Sequence, residues 1–299
     1  MRRKPLLPLH NVNVKVRHIQ AEPLIRNVSD TARWVAFYRA EESNRPDAIF
    51  SDPFARRLAG QRGEQIARSG PFTGKTSWPF VARTYLFDRV IQEQVQQGAD
   101  MVVNLAAGLD ARPYRMALPS ALRWIEVDLP EILTHKEEIL RNEKPVCALE
   151  RIRLDLSDVA ARRRLFQELG SKATRALIVS EGLIAYLTEE EVGALAQDLA
   201  VPKSFRHWLL DFGSPALMRM LQKKMGAQMI QAPLRFAPEK GPEFFTPYGW
   251  KLAKADSVFK TAAQIKRLPF WMRLLALLPD SGEFQAKRPW SAACLFERR

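Results

Sequence analysis

The chain has 299 residues, 46% of them hydrophobic, with 46 Lys and Arg against 33 Asp and Glu. That is ample apolar matter for a packed core and excludes a disordered or low-complexity polypeptide. The formal charge of +13 permits a phosphate-bearing partner, but the basic residues are spread along the chain and do not interleave with aromatics as base stacking requires. No specific nucleic-acid partner is expected.

The start, MRRKPLLPLHNVNVKVRHIQ, is basic and free of acids, yet its apolar piece LLPL is too short and proline-broken for a secretory signal. Residues 1–22 therefore read as a flexible basic arm, which carries His10 and His18. From Ser29, SDTARWVAFYRAEE has helical spacing, with Trp34, Phe37 and Tyr38 on one face and Ser29 or Asp30 as the cap. SNRPDAIFSDPFARRLAG reads as a turn and a second helix, Asp52 capping and Pro53 in the first turn. A Gly/Pro-rich loop around GPFTGKTSWPF leads into a third helix over residues 81–97.

MVVNL, WIEVD, RIRLD, ALIVSE and HWLLDF are short apolar runs separated by segments long enough for helices, such as EILTHKEEILRN and TEEEVGALAQDL. That alternation predicts βαβ units and a parallel sheet with helices on both faces. Arg162, Arg163 and Arg164 read as a solvated helix face. After Asp211 the rhythm changes to a Met-rich segment over residues 215–230, a proline-containing stretch to residue 247, a strand at GWKLAKA, a helix over residues 261–278 and a closing strand at SAACLFE. LPFWMRLLALLP is interrupted by Arg273 and too short to span a bilayer. Cys147 and Cys294 form neither a metal spacing nor a disulfide framework, and a cytoplasmic protein is expected.

Ligands of open parallel sheets bind beyond the carboxyl ends of the strands. The first expected strand ends at Ala106-Ala107-Gly108, and the next four deliver Asp128, Asp155, Glu181 and Asp211 to the same rim. Asp128 lies 20 residues beyond Gly108, the offset at which an acid meets a ribose diol. A nucleoside is therefore expected in the first half of the sheet. The turn AAGLDAR lacks the glycines that bring a pyrophosphate onto a helix N-terminus, and it puts Asp110 where a phosphate would approach. Acids around the rim suit instead the sulfonium and ammonium of S-adenosylmethionine, with Arg83 available for its carboxylate. The same turn disfavours a dehydrogenase.

SDTARWVAFYRAEE, SDPFARRLAG, ARTYLFD, NLAAGLDARPYRM, EVDLPEILTHK, LDL and SEGLIAYLTEEEV, in that order, resemble the leucine carboxyl methyltransferase family, and more narrowly its bacterial branch. AGLDARPYR and EGLIAYL are the most specific pieces, and the likeness runs from residue 27 to residue 211, weakly beyond. The resemblance implies an α/β class I methyltransferase (Rossmann-like) fold, with a seven-stranded, mostly parallel sheet whose last two strands form an antiparallel edge. It implies one domain over residues 23–299: a helical cap (23–98), a donor-binding core (99–213), a lid insertion (214–247) and C-terminal edge strands with a helix (248–299). Carried over by position, Arg83 takes the donor's carboxylate, and Ala106 and Gly108 pass under its methionine part. Asp128 takes the ribose, Asp155 and Leu156 flank the adenine, and Glu181 stands near the methionine moiety. Ala106 departs from the family, since many relatives have glycine there, and Tyr85 stands where some have a second arginine.

These residues predict an S-adenosylmethionine-dependent O-methyltransferase acting on a carboxyl or hydroxyl group of a small molecule. The alternatives are a protein C-terminal carboxyl methyltransferase and an RNA-binding or RNA-modifying protein. A carboxylate nucleophile needs no base at neutral pH, whereas an alcohol benefits from one. His207 opens the fifth strand, at the wrong end of the sheet, and His135 belongs to a helix surface. Tyr186 is better placed, either to orient a substrate or to pack as core. Met218, Met220, Met225 and Met229 either line an adaptable apolar cavity or pack between helices.

Overall fold

A computed structural model describes residues 25–70, 76–226, 228–276, 284 and 286–299. The expected basic arm with its two histidines, residues 71–75 of the Gly/Pro-rich loop, and the last two residues of the helix expected over 261–278 lie outside the described residues.

All seven expected strands form, and they make one sheet: β1 (Met101–Leu105), β2 (Arg123–Asp128), β3 (Ala148–Arg153), β4 (Ala176–Ser180), β5 (Phe205–Gly213), β6 (Trp250–Ser257) and β7 (Ser291–Arg298), in the order β3-β2-β1-β4-β5-β7-β6. β1 to β5 pair in parallel, while β7 pairs antiparallel with both β5 and β6. β7 is thus the one reversed strand, and β6 alone forms that edge, guarded by exposed Lys251 and Lys254. β1 and β4 are buried throughout, as expected of central strands covered on both faces. After β1 the chain builds outward through β2 and β3, then returns to β4 on the other side of β1. The rim beyond β1 and β4 is therefore the switch point.

Three helices precede the sheet: α1 (Val28–Ser43), α2 (Ala55–Ser69) and α3 (Trp78–Gln96). Trp34, Phe37 and Tyr38 are buried as expected, and Tyr38 stacks on Phe80 of α3. The cap of α1 is Asn27, whose side chain accepts from Asp30 N at 3.1 Å, because Asp30 is itself drawn to Arg62 at 3.0 Å. Asp52 does not cap α2 either. Arg39 takes its Oδ2 at 2.8 Å, and α2 starts only at Ala55.

Between the strands lie α4 (Arg112–Arg115), α5 (Pro130–Leu140), α6 (Val159–Lys172) and α7 (Glu189–Leu199), the last opened by a reciprocal capping box of Thr188 and Glu191. Arg162 of α6 corrects the solvated reading of its run: it is buried against Asp198 of α7, while Arg163 reaches the same carboxylate from solvent. Beyond β5 come α8 (Pro215–Met225), a 3₁₀ helix (Gly241–Tyr248), α9 (Val258–Gln264) and α10 (Phe270–Ala276). One helix was expected where α9 and α10 stand. Lys266 adopts a φ of +58° and Pro269 follows, which ends one helix and starts another.

Candidate active site

Asp128 closes β2, and its two oxygens divide between two backbone amides. Oδ2 accepts from Gly108 N at 2.6 Å and Oδ1 from Leu129 N at 2.7 Å. Burial raises its pKa above the usual carboxylate value, against the pull of those amides. Gly108 has a φ of +50°, and a Cβ there would lie 3.2 Å from the Ala32 methyl, so the turn is built for glycine. Ala106 holds a similar left-handed backbone, φ +52°, with a side chain. The Gly108 amide, which in a dinucleotide site would meet phosphate, is already engaged by a carboxylate. That engagement fits a phosphate-free nucleoside, and each Asp128 oxygen keeps a second lone pair for a diol.

Asp155 lies two residues past the end of β3, exposed, its Oδ1 accepting from Ser157 N at 2.8 Å. Leu156 is half-buried, and its carbonyl accepts from Arg162 Nη1 at 2.8 Å. Glu181 directly follows β4, and Asp211 lies within β5, its Oδ1 accepting from Gly182 N at 2.6 Å.

Arg83, on α3, gathers the two far acids. Its Nε donates to Glu181 at 3.1 Å and its Nη1 to Asp211 at 2.9 Å. Burial would lower the pKa of this guanidinium, but Asp211 and Glu181 outweigh it and raise it. The other Glu181 oxygen meets Arg112 Nη1 at 2.8 Å, and Arg112 also donates to Asp110 at 2.9 Å and to Asp88 at 2.6 Å. Arg115 donates to both Asp88 oxygens at 2.7 Å. The rim is thus joined by a continuous chain of ion pairs from Asp88 to Asp211, in which all three arginines are shielded from solvent.

Asp110 requires a correction. Its carboxylate accepts from Asn104 Nδ2 at 2.8 Å, from the Arg112 amide at 2.9 Å and from the Arg112 guanidinium. Burial opposes its ionisation, but Arg112, Lys136 and Arg115 outweigh burial and hold it well below the usual carboxylate range. Its charge is thus paired locally with Arg112, while the Gly108 amide is engaged by Asp128. The N-cap position of α4 is Ala111, with no side-chain bond.

Asp88, Arg112, Arg115 and Gly182 were not singled out from sequence as site residues. Gly182 has a φ of +70°, and a Cβ there would stand 3.4 Å from Arg83 Nη1. The available signal for Asp88, Arg112 and Arg115 was their charge inside the pieces ARTYLFD and AGLDARPYR.

Tyr186 ends a 3₁₀ turn (Ile184–Tyr186) and hydrogen-bonds the Thr31 side chain. Burial raises its pKa, with Thr31 and the Arg83 charge opposing. His207 pairs with Leu177 and Glu297 near the start of β5, far from the rim as expected, and His135 lies on α5. Met225 and Met229 are buried in one cluster with Trp34 and Tyr38, whereas Met220 is exposed. The packing role of the first two therefore prevails over a cavity lining.

The model of the leucine carboxyl methyltransferase family matches residues 32–200. A protein of Frankia alni, assigned as an S-adenosyl-L-methionine-dependent methyltransferase, is 31% identical over 263 residues, covering 79% of this chain and 88% of that protein. One from Streptomyces coelicolor with the same assignment is 35% identical over 179 residues, covering 55% of this chain and 62% of that protein. Among solved structures, a DUF574 family protein from Streptomyces avermitilis shares the fold with a TM-score of 0.56 at 14% identity, over 90% of this chain and 97% of that one. With the family match spanning more than half its length and carrying the Gly108, Asp128 and Glu181 rim, the chain belongs to the leucine carboxyl methyltransferase family.

Proposed function

We propose that this chain, an S-adenosylmethionine-dependent methyltransferase, transfers the methyl group to an oxygen of a small molecule, a carboxyl or hydroxyl group, and best a carboxylate. Asp128 would hold the ribose hydroxyls, Asp155 and Leu156 would flank the adenine, and Ala106 and Gly108 would pass under the methionine part. Arg83 would take the donor's carboxylate, and Glu181 would face its cationic end. Bound there, S-adenosylmethionine supplies an electrophilic methyl on a sulfonium.

The observation that carries the oxygen reading is Tyr186. Burial raises its pKa, so the phenol stays protonated at neutral pH and does not serve as a base. With no base at this position, the acceptor that fits best is one already anionic, which needs its nucleophilic oxygen held in line and water kept away. Residues 23–98 act as a cap and residues 214–247 as a lid over the core. Supporting this, Met225, Met229 and Ala232 pack into the cluster of Trp34, Tyr38 and Leu58. Free, buried Cys147 and Cys294 accord with a cytoplasmic setting.

The test is calorimetric titration with S-adenosylmethionine and its demethylated product, followed by transfer of labelled methyl into cell extract. Label is expected in the small-molecule fraction and released by mild base, as from a methyl ester. Label confined to protein or RNA would overturn the small-molecule reading, and label bound in a form stable to base would overturn the carboxylate reading.

A further inference from the structure

α10 is built inside out. Phe270, Trp271, Leu274 and Leu275 are 77%, 65%, 61% and 51% exposed. Their spacing of i, i+1, i+4 and i+5 covers an arc of roughly 140° on the helix surface. The opposite side carries Met272 and Ala276, which pack on the core beside α3 and α9. A surface helix of a soluble domain turns its apolar stripe inward, so a contiguous outward stripe with two aromatics marks a contact surface.

The charge around it points to the kind of partner. From residue 257 to residue 279 the chain has Lys260, Lys266, Arg267 and Arg273 and no Asp or Glu. Arg267 is spent on Glu42 and Asp47. Arg273 instead donates to the carbonyl oxygens of Leu268 at 3.0 Å and Lys266 at 2.9 Å, and neither it nor exposed Lys266 forms an ion pair among the described residues. Net positive charge beside a Trp/Phe/Leu stripe is the composition of a segment that lies in the headgroup region of a bilayer. Among the described residues no helix is long and apolar enough to cross a membrane.

We propose that the α9–α10 corner docks the protein on an anionic phospholipid surface, with Phe270, Trp271, Leu274 and Leu275 entering the headgroup region and Lys266 and Arg273 facing the lipid phosphates. This is independent of the methyl-transfer reading, since it concerns a different face and is measured without turnover.

The full chain is sedimented with vesicles of phosphatidylglycerol and phosphatidylcholine, and with phosphatidylcholine alone. Pelleting is expected with the anionic vesicles, weakening as salt rises. Phe270→Ser with Trp271→Ser should lower vesicle affinity by about tenfold or more, since two large apolar side chains lose their burial. Lys266→Glu should weaken it a few-fold, and Leu274→Ser with Leu275→Ser provides a second, independent apolar variant. All variants should bind S-adenosylmethionine as the parent does, because the substitutions lie on the surface. Absence of pelleting with anionic vesicles, or pelleting unchanged in both apolar variants, overturns the proposal. So does a stripe whose substitution abolishes only concentration-dependent self-association, or only binding to an RNA homopolymer, since the partner is then a second copy or a nucleic acid.

Discussion

Arg83 and Glu181 lie 98 residues apart in sequence and meet at 3.1 Å across the rim of the sheet. Because Arg83 also holds Asp211 at 2.9 Å, its removal leaves two poorly solvated carboxylates without a shared cation. Arg83→Met should destabilise the fold by about 3 kcal/mol, the cost of breaking a buried ion pair from one side. It should also abolish donor binding. Urea unfolding and calorimetry separate the two effects, and Asp211→Asn in the Arg83→Met background should restore stability without restoring donor affinity, since Glu181 keeps Arg112.

Ala106 keeps a side chain in left-handed backbone. That conformation costs an L-residue about 1–2 kcal/mol, of which glycine gives back part through its larger entropy loss on folding. Ala106→Gly should therefore stabilise the protein by about 0.5–1 kcal/mol, a rise in melting temperature of about 2 °C. Donor affinity should rise as well, because the methyl group narrows the approach to the turn. A lower melting temperature would mean that this backbone angle is not held in solution.

Asp110 and Asp128 respond to acid with opposite signs. The Asp110 pKa is lower in the folded than in the unfolded chain. Its stabilisation is therefore complete above the unfolded value of about 4 and is lost as pH falls further, through the folded value. The Asp128 pKa is raised by burial, so its protonation on acidification relieves the fold of a penalised charge. Yet protonation also removes an acceptor site for the ribose diol. Donor affinity should accordingly begin to fall at a higher pH than stability does. Binding titrations and urea midpoints over the same pH series check this ordering. Asp110→Asn should flatten the stability curve below about pH 4, while Asp128→Ala should abolish donor binding in a folded protein.

The strands were legible because MVVNL and ALIVS are buried on both faces, and such runs are too short for a buried helix and rich in β-branched residues. The rim acids were legible because each stands at or near the carboxyl end of a strand-like run. Their partners were not. Arg83 reaches Asp211 across 128 residues, and a pairing at that separation leaves no local spacing to read. Asp110 was misjudged because its position in the turn is visible from sequence, while the direction of its side chain depends on Asn104 and Arg112 together. The split between α9 and α10 turned on the backbone of Lys266, whose residue type does not announce a left-handed angle.

The run Arg162-Arg163-Arg164 offers the sharpest contrast between two neighbours. Arg162 is 5% exposed, binds Asp198 through Nε and Nη2, and reaches the Leu156 carbonyl at 2.8 Å. Arg163 reaches Asp198 at 2.7 Å with its own side chain 59% exposed. Arg162→Ala should cost about 3 kcal/mol, since Asp198 stays buried and the Leu156 carbonyl loses its donor. Arg163→Ala should cost about 0.5 kcal/mol or less, as for a solvent-screened pair. If Leu156 flanks the adenine as proposed, Arg162→Lys is the informative variant. Lysine can keep the charge beside Asp198, but a single ammonium cannot reproduce the fork that spans Asp198 and the Leu156 carbonyl. Part of the stability should return while donor affinity stays weakened. Full recovery of affinity in Arg162→Lys would detach the Leu156 loop from the adenine seat.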